Sequence, residues 1–118
     1  MQFMLIFTEP LAKHDTYKPG SPQAAENMGA WGAYMGAMAQ AGVLDKGDGL
    51  LHPETATTVR VRNGKREVQD GPFLEAKEYL GGYCVISVDD LDAAIAWAEK
   101  SPAALEGSVE VRPVMPDA

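Results

Sequence analysis

Residues 2–8 (Gln-Phe-Met-Leu-Ile-Phe-Thr) alternate as a strand, with Phe3, Leu5 and Phe7 on one face and Met4 and Ile6 on the other. Both faces are apolar. Burying one such side chain is worth ~1.5–3 kcal/mol, and several left in water make a patch that monomers rarely tolerate. A sheet built on this strand therefore needs a cover on each side, and that requirement limits the possible folds more than any other feature of the chain.

The remaining elements supply one cover. Residues 9–22 are polar and rich in Pro and Gly, which predicts a loop. Ser21 then suits an N-cap and Pro22 the first helical position. Met28, Trp31, Met35 and Met38 recur at spacings of three and four and define one helical face, beside a stripe of Gly29, Gly32, Ala33 and Gly36. Each interior Gly costs ~1 kcal/mol against Ala, so the stripe predicts close approach to the sheet backbone or to a second chain. Gly42 fits the residue that stops the helix. Residues 43–56 read as a loop.

The alternation of Thr58–Arg62, the dipeptide Asn63-Gly64 and the return strand Lys65–Gln69 predict a β-hairpin with a type I′ turn. Its register places Val59 opposite Val68 and Arg60 opposite Glu67. Asp70-Gly71-Pro72-Phe73 breaks the strand, Leu74–Leu80 has helical composition, and Gly81-Gly82 ends it. Tyr83–Val88 reads as a strand with Cys84, Ile86 and Val88 on one side. Asp89 is the expected N-cap of a second helix that turns Leu91, Ala94, Ile95 and Ala98 inward and closes at Ser101-Pro102. Val109 and Val111 mark a last strand before Pro113.

The order strand, helix, hairpin, strand, helix, strand predicts an α+β fold. It is a ferredoxin-like antiparallel sheet with two helices on one face and an inserted β-hairpin. The opposite face then needs a second subunit, so two chains are expected to pair into a dimeric α/β barrel. At 118 residues the chain is expected to be one domain, 1–118. Ten Lys and Arg against 17 Asp and Glu leave a net charge of −7, which disfavours nucleic acid and anionic membrane surfaces as partners. The single Cys84 excludes an intramolecular disulfide. No apolar run approaches the ~20 residues needed to span a bilayer, and no basic leader opens the chain, so a cytoplasmic protein is expected.

Several segments together carry a family resemblance: Asp70–Glu78 (DGPFLEAKE), Leu80–Tyr83 (LGGY), Ala93–Ala98 (AAIAWA) and Val109–Val114 (VEVRPV). Tyr34-Met35, Ala41–Leu44 and Gly49-Leu50 add to it. The sequence resembles the YCII-related proteins, in the branch named for its DGPF motif, over most of its length. The resemblance implies a dimeric barrel of ferredoxin-like subunits and no settled activity; in bacteria this branch is often encoded beside sigma factors. Shorter YCII proteins carry a His near the start of the first helix that is proposed to work with an Asp in proton transfer, and some relatives eliminate HCl from chlorinated aromatics. Counting back from Gly42 puts the equivalent of that His at or near Trp31 here, so that chemistry does not carry over.

Candidate site residues follow from side-chain chemistry. Asp70 suits a general base at a barrel mouth, or a turn residue capping its own backbone. Lys77 and Glu75, with Glu78 behind them, suit a proton relay or anion clamp, or a solvated face. His14 and His52 are the two imidazoles, and His52 beside Leu50-Leu51 fits a pocket wall. Trp31, Tyr34, Tyr79, Tyr83 and Arg60 are candidates to line an aromatic-binding cavity, or simply core. Cys84 reads as a buried hydrophobe. No metal spacing or phosphate loop is present, so no cofactor or metal is expected. Two functions compete. One is a small-molecule cavity performing cofactor-independent proton transfer or elimination on a small cyclic substrate, with Asp70 as base. The other is a non-catalytic ligand-sensing or protein-interaction module linked to transcriptional regulation.

Overall fold

Strand β1 runs over Gln2–Pro10, at the centre of a sheet whose every pairing is antiparallel. A computed structural model describes residues 1–12, 20–71 and 77–117. After β1 come α1 (Pro22–Gln40), β2 (Leu44–Gly49), a 3-10 turn (Pro53–Thr55), β3 (Thr57–Arg62) and β4 (Lys65–Asp70). Then follow β5 (Glu78–Ser87), α2 (Leu91–Ala98), α3 (Ala103–Glu106) and β6 (Ser108–Pro113). The main sheet has the order β2-β5-β1-β6, and β3–β4 form a separate two-stranded sheet. With the hairpin set aside, this is the ferredoxin-like arrangement.

The β1 alternation is realised: Phe3, Leu5 and Phe7 are buried, together with Cys84 and Ile86 of β5. Tyr34 and Met38 of α1, Ala94 and Ala98 of α2, and Ala103 complete one core, so both long helices lie on the same face. Phe7, Trp31 and Tyr34 meet edge to face, with centroids 4.9–6.1 Å apart. The Tyr34 hydroxyl donates to the Trp97 carbonyl at 2.8 Å and ties α1 to α2. Burial, with the neighbouring Cys84 thiol, pushes that phenol well above its ordinary value.

The caps show what local chemistry decided. Ser21 Oγ accepts from Ala24 N at 3.1 Å, Pro22 opens α1, and Gly42 follows it at φ 74°. The second helix is capped by Asp90 and not by Asp89: Asp90 Oδ1 accepts from Ala93 N at 2.8 Å. Ala94 and Ala98 point inward as expected, whereas Leu91 and Ile95 remain exposed.

Other expectations are corrected. The 43–56 stretch holds β2, an edge strand of sequence Leu-Asp-Lys-Gly-Asp-Gly with no apolar alternation to betray it. Glu78–Leu80 are not helical but open β5, which continues through Gly81 and Gly82. Gly82 is required by close packing, since a Cβ there would sit 2.8 Å from the Asp48 carbonyl oxygen. The small stripe on α1 does not touch the sheet: a Cβ at Gly29, Gly32 or Gly36 would meet nothing within 4 Å.

The helix-free face is more polar than β1 alone suggests. Register sets Lys46 and Asp48 beside Val85 and Tyr83, and Arg112 and Glu110 beside Met4 and Ile6. Tyr83 Oη donates to Asp48 at 2.7 Å and Arg112 pairs with Glu110. Val85 is buried and Met4 and Ile6 are half-buried within one chain. The molecule measures 46 × 45 × 18 Å. Its thickness is that of one sheet under one helix layer about 10–12 Å across.

Candidate functional site

A cavity of about 680 Å³ opens where α1 overhangs the end of the sheet formed by β1, β2 and β5. Its apolar wall comes from Phe7, Met28, Trp31, Met35, Leu50 and Leu51. Met28 is 75% exposed and forms part of the cavity rim. The polar residues of the lining are Glu9, Asn27, Asp48, His52 and Tyr79, of which Glu9, His52 and Tyr79 form one cluster.

Glu9 continues the inward row Phe3, Leu5, Phe7 by one more step, so β1 delivers a carboxylate where alternation would place a fourth hydrophobe. It is only 7% exposed. Tyr79 pairs with Glu9 across β1–β5, and its hydroxyl lies 3.5 Å from Glu9 Oε2. Burial first, and the nearby Glu9 charge second, hold the Tyr79 phenol above its ordinary value.

A β-bulge brings these two side chains together. Phe7 pairs with Gly82 but Thr8 pairs with Leu80, leaving Gly81 as an extra residue in β5. Above the bulge the even-numbered Cys84 and Ile86 face the helices; below it, the face passes to the odd-numbered Tyr79, and Leu80 turns out to solvent. The Gly81 carbonyl then accepts from Leu50 N at 2.9 Å, which holds the 50–52 segment over the cavity.

His52 caps the 3-10 turn with its ring. Nδ1 accepts from Glu54 N at 3.1 Å, so the neutral imidazole carries its hydrogen on Nε2. Its side chain is 14% exposed, Nε2 is buried, and the ring lies 6.1 Å from that of Tyr79. The cavity thus sets a carboxylate, a phenol and an imidazole against an aromatic wall. Such a set can bind a flat polar ring and exchange protons with it.

The structure separates the candidates that sequence reasoning grouped. His52, Trp31 and Tyr79 line the cavity; Tyr34 is core, Tyr83 lies on the opposite face, and Arg60 is on the hairpin. Asp70 ends β4 and Lys77 precedes β5; both are exposed, and neither lines the cavity. Glu75 and His14 lie outside the described residues, as does the Pro72–Ala76 part of the DGPF motif. Sequence reasoning misses Glu9, because polarity alone ends the strand at Thr8 whereas β1 runs to Pro10. The unbroken alternation 3, 5, 7, 9 is the signal that could have found it. Cys84 is buried, and its thiol is pushed up to about 11 by that burial. Among the described residues, no three His, Cys, Asp or Glu side chains cluster as a metal site, and no helix is long and apolar enough to cross a membrane.

An uncharacterized protein of Rhizobium meliloti (strain 1021) is 39% identical over 77 residues, 64% of this chain and 62% of the relative's length. Among solved structures, the fold is similar to the 5-chloro-2-hydroxyhydroquinone dehydrochlorinase of Burkholderia phenoliruptrix AC1100, determined in complex with 2,5-dihydroxybenzoquinone. The TM-score is 0.53 at 18% identity, over 98% of this chain and 94% of that one. Residues 1–117 match the YCII-related domain, and the chain belongs to that family.

Proposed function

We propose that the cavity binds a small cyclic molecule bearing hydroxyl or carbonyl groups and moves a proton on it without a cofactor. The observation that carries this reading is the buried Glu9 carboxylate, held at the floor of an aromatic-walled cavity beside the Tyr79 hydroxyl and the His52 ring. In this reading Phe7 and Trp31 stack on the ring, Glu9 accepts the proton, and His52 Nε2–H donates to the oxygen on which charge develops. The role of base passes from Asp70 to Glu9, because Glu9 lines the cavity and Asp70 does not. The similarly folded dehydrochlorinase, whose named substrate is a chlorinated hydroxyhydroquinone, supports a ring of this size as the ligand class. We further propose that a second copy covers the half-buried Met4 and Ile6 at the centre of the helix-free face, whose polar margin resembles the rim of an interface.

The test is a titration with 2,5-dihydroxybenzoquinone followed by its absorption, using wild type, Trp31→Ala, Glu9→Gln and His52→Asn. Trp31→Ala should weaken binding at least tenfold. Glu9→Gln and His52→Asn should alter the ionisation of the bound ring. Wild-type affinity and spectra in all three variants would refute the site. A binding module without chemistry is the second reading, and the mostly apolar wall of the cavity favours it. Ring binding without proton exchange into deuterated solvent would decide for it.

A further inference from the structure

The β3–β4 hairpin forms its own two-stranded sheet, and its register places Val59 opposite Val68 with Val61 on the same face. Those three valines are 55–62% exposed, whereas the apolar centre of the helix-free sheet face is buried or half-buried in a single chain. An isolated hairpin is marginal in water, and an exposed valine face marks a contact surface. Charge indicates the occupant. Residues 57–70 carry four of the chain's ten Lys and Arg (Arg60, Arg62, Lys65 and Arg66) and two of its 17 Asp and Glu, Glu67 and Asp70. The arm is therefore +2 on a remainder of −9. An arm of opposite sign to its own body is complementary to another copy of that body.

We infer that the β3–β4 hairpin is an arm that lays its Val59, Val61 and Val68 face on a second copy of this chain, with its basic residues meeting that copy's acidic surface. The arm adds a contact to the dimer proposed above and rests on that reading. The helix-free faces would meet, and each arm would clasp the opposite subunit.

The test is sedimentation of the full chain at micromolar concentration, comparing wild type with V59S/V61S/V68S and with M4K/I6K. The arm variant should raise the dimer dissociation constant at least tenfold, and raising NaCl from 50 to 500 mM should weaken the wild-type dimer. Dimerisation unchanged in the arm variant but lost in M4K/I6K overturns the arm and leaves the sheet-face dimer standing. A monomeric wild type overturns both. Should the triple variant fail to fold, a photo-crosslinking residue at Val68 decides: capture of a second copy supports the arm, and only intrachain products overturn it.

Discussion

Two Gly→Ala substitutions, Gly107→Ala and Gly36→Ala, should change stability in opposite directions. Gly107 joins α3 to β6 and lies against β1: a Cβ there would overlap the Thr8 carbonyl oxygen and stand 3.0 Å from its carbon and 3.1 Å from the Glu9 Cα. Ordinary carbon–oxygen contacts are about 3.3–3.6 Å, so the chains must part to admit it. All three neighbours are backbone and cannot swing aside. Parting them disturbs the Thr8–Ser108 end of the β1–β6 ladder. Overpacking costs about 1–3 kcal/mol and each lost ladder bond about 0.5–1.5 kcal/mol, so the loss should reach about 3 kcal/mol. That corresponds to about 10–18 °C in melting temperature for a domain of this size. Gly36 is in the interior of α1, where a Cβ meets nothing within 4 Å, and Ala there should add about 1 kcal/mol through helix propensity. Urea denaturation of both variants measures the two values. A Gly107→Ala protein within 1 kcal/mol of wild type would refute the close approach of Gly107 to β1. Because that contact also backs Glu9, Gly107→Ala should weaken ring binding even where the fold survives.

Asp90→Ala should cost about 0.5–2 kcal/mol by uncapping α2, while Asp89→Ala stays within about 0.5 kcal/mol; equal losses in urea melts would contradict the Asp90 cap. Tyr34→Phe removes the hydroxyl that donates to the Trp97 carbonyl and should cost about 1–3 kcal/mol, with near-UV circular dichroism reporting whether the Phe7–Trp31–Tyr34 cluster persists. The Cys84 thiol rises from 9.0 to about 11 on folding, so the native chain keeps a proton that the unfolded chain loses. The associated stability is full below pH 9 and falls as pH rises toward 11, by up to about 2–3 kcal/mol. Tyr34 acts in the same sense at higher pH. Cys84→Ala should flatten the pH 9–10 part of the profile, and an unchanged slope would count against the buried thiol.

Features governed by neighbours in the chain were legible without coordinates. The Asn63-Gly64 turn adopts φ values of 52° and 75°, and its two-residue length alone imposed the Val59–Val68 and Arg60–Glu67 pairs. Ser21, Pro22 and Gly42 bounded α1 because capping groups act within one turn. Phe3, Leu5 and Phe7 faced the core because strand parity needs no partner to define it. The site was less legible. Trp31, His52 and Tyr79 could be named as chemistry, but their convergence required β5 to run past Gly82 and slip by one residue at Gly81. That slip exchanges Leu80 for Tyr79 on the helix face, and it arises from β5 pairing with β1, about 70 residues away in sequence. β2 was invisible for a related reason: an edge strand packs little, so its polar residues carry no alternation, and only its pairing with β5 makes it a strand. The Asn63-Gly64 turn with its register, the α1 caps and the β1 face parity are short-range and were settled by the residues themselves; the choice of Asp90 over Asp89 as the α2 cap was not. The register of the main sheet, its bulge and the cavity depend on which strands meet, and only the tertiary structure decided them.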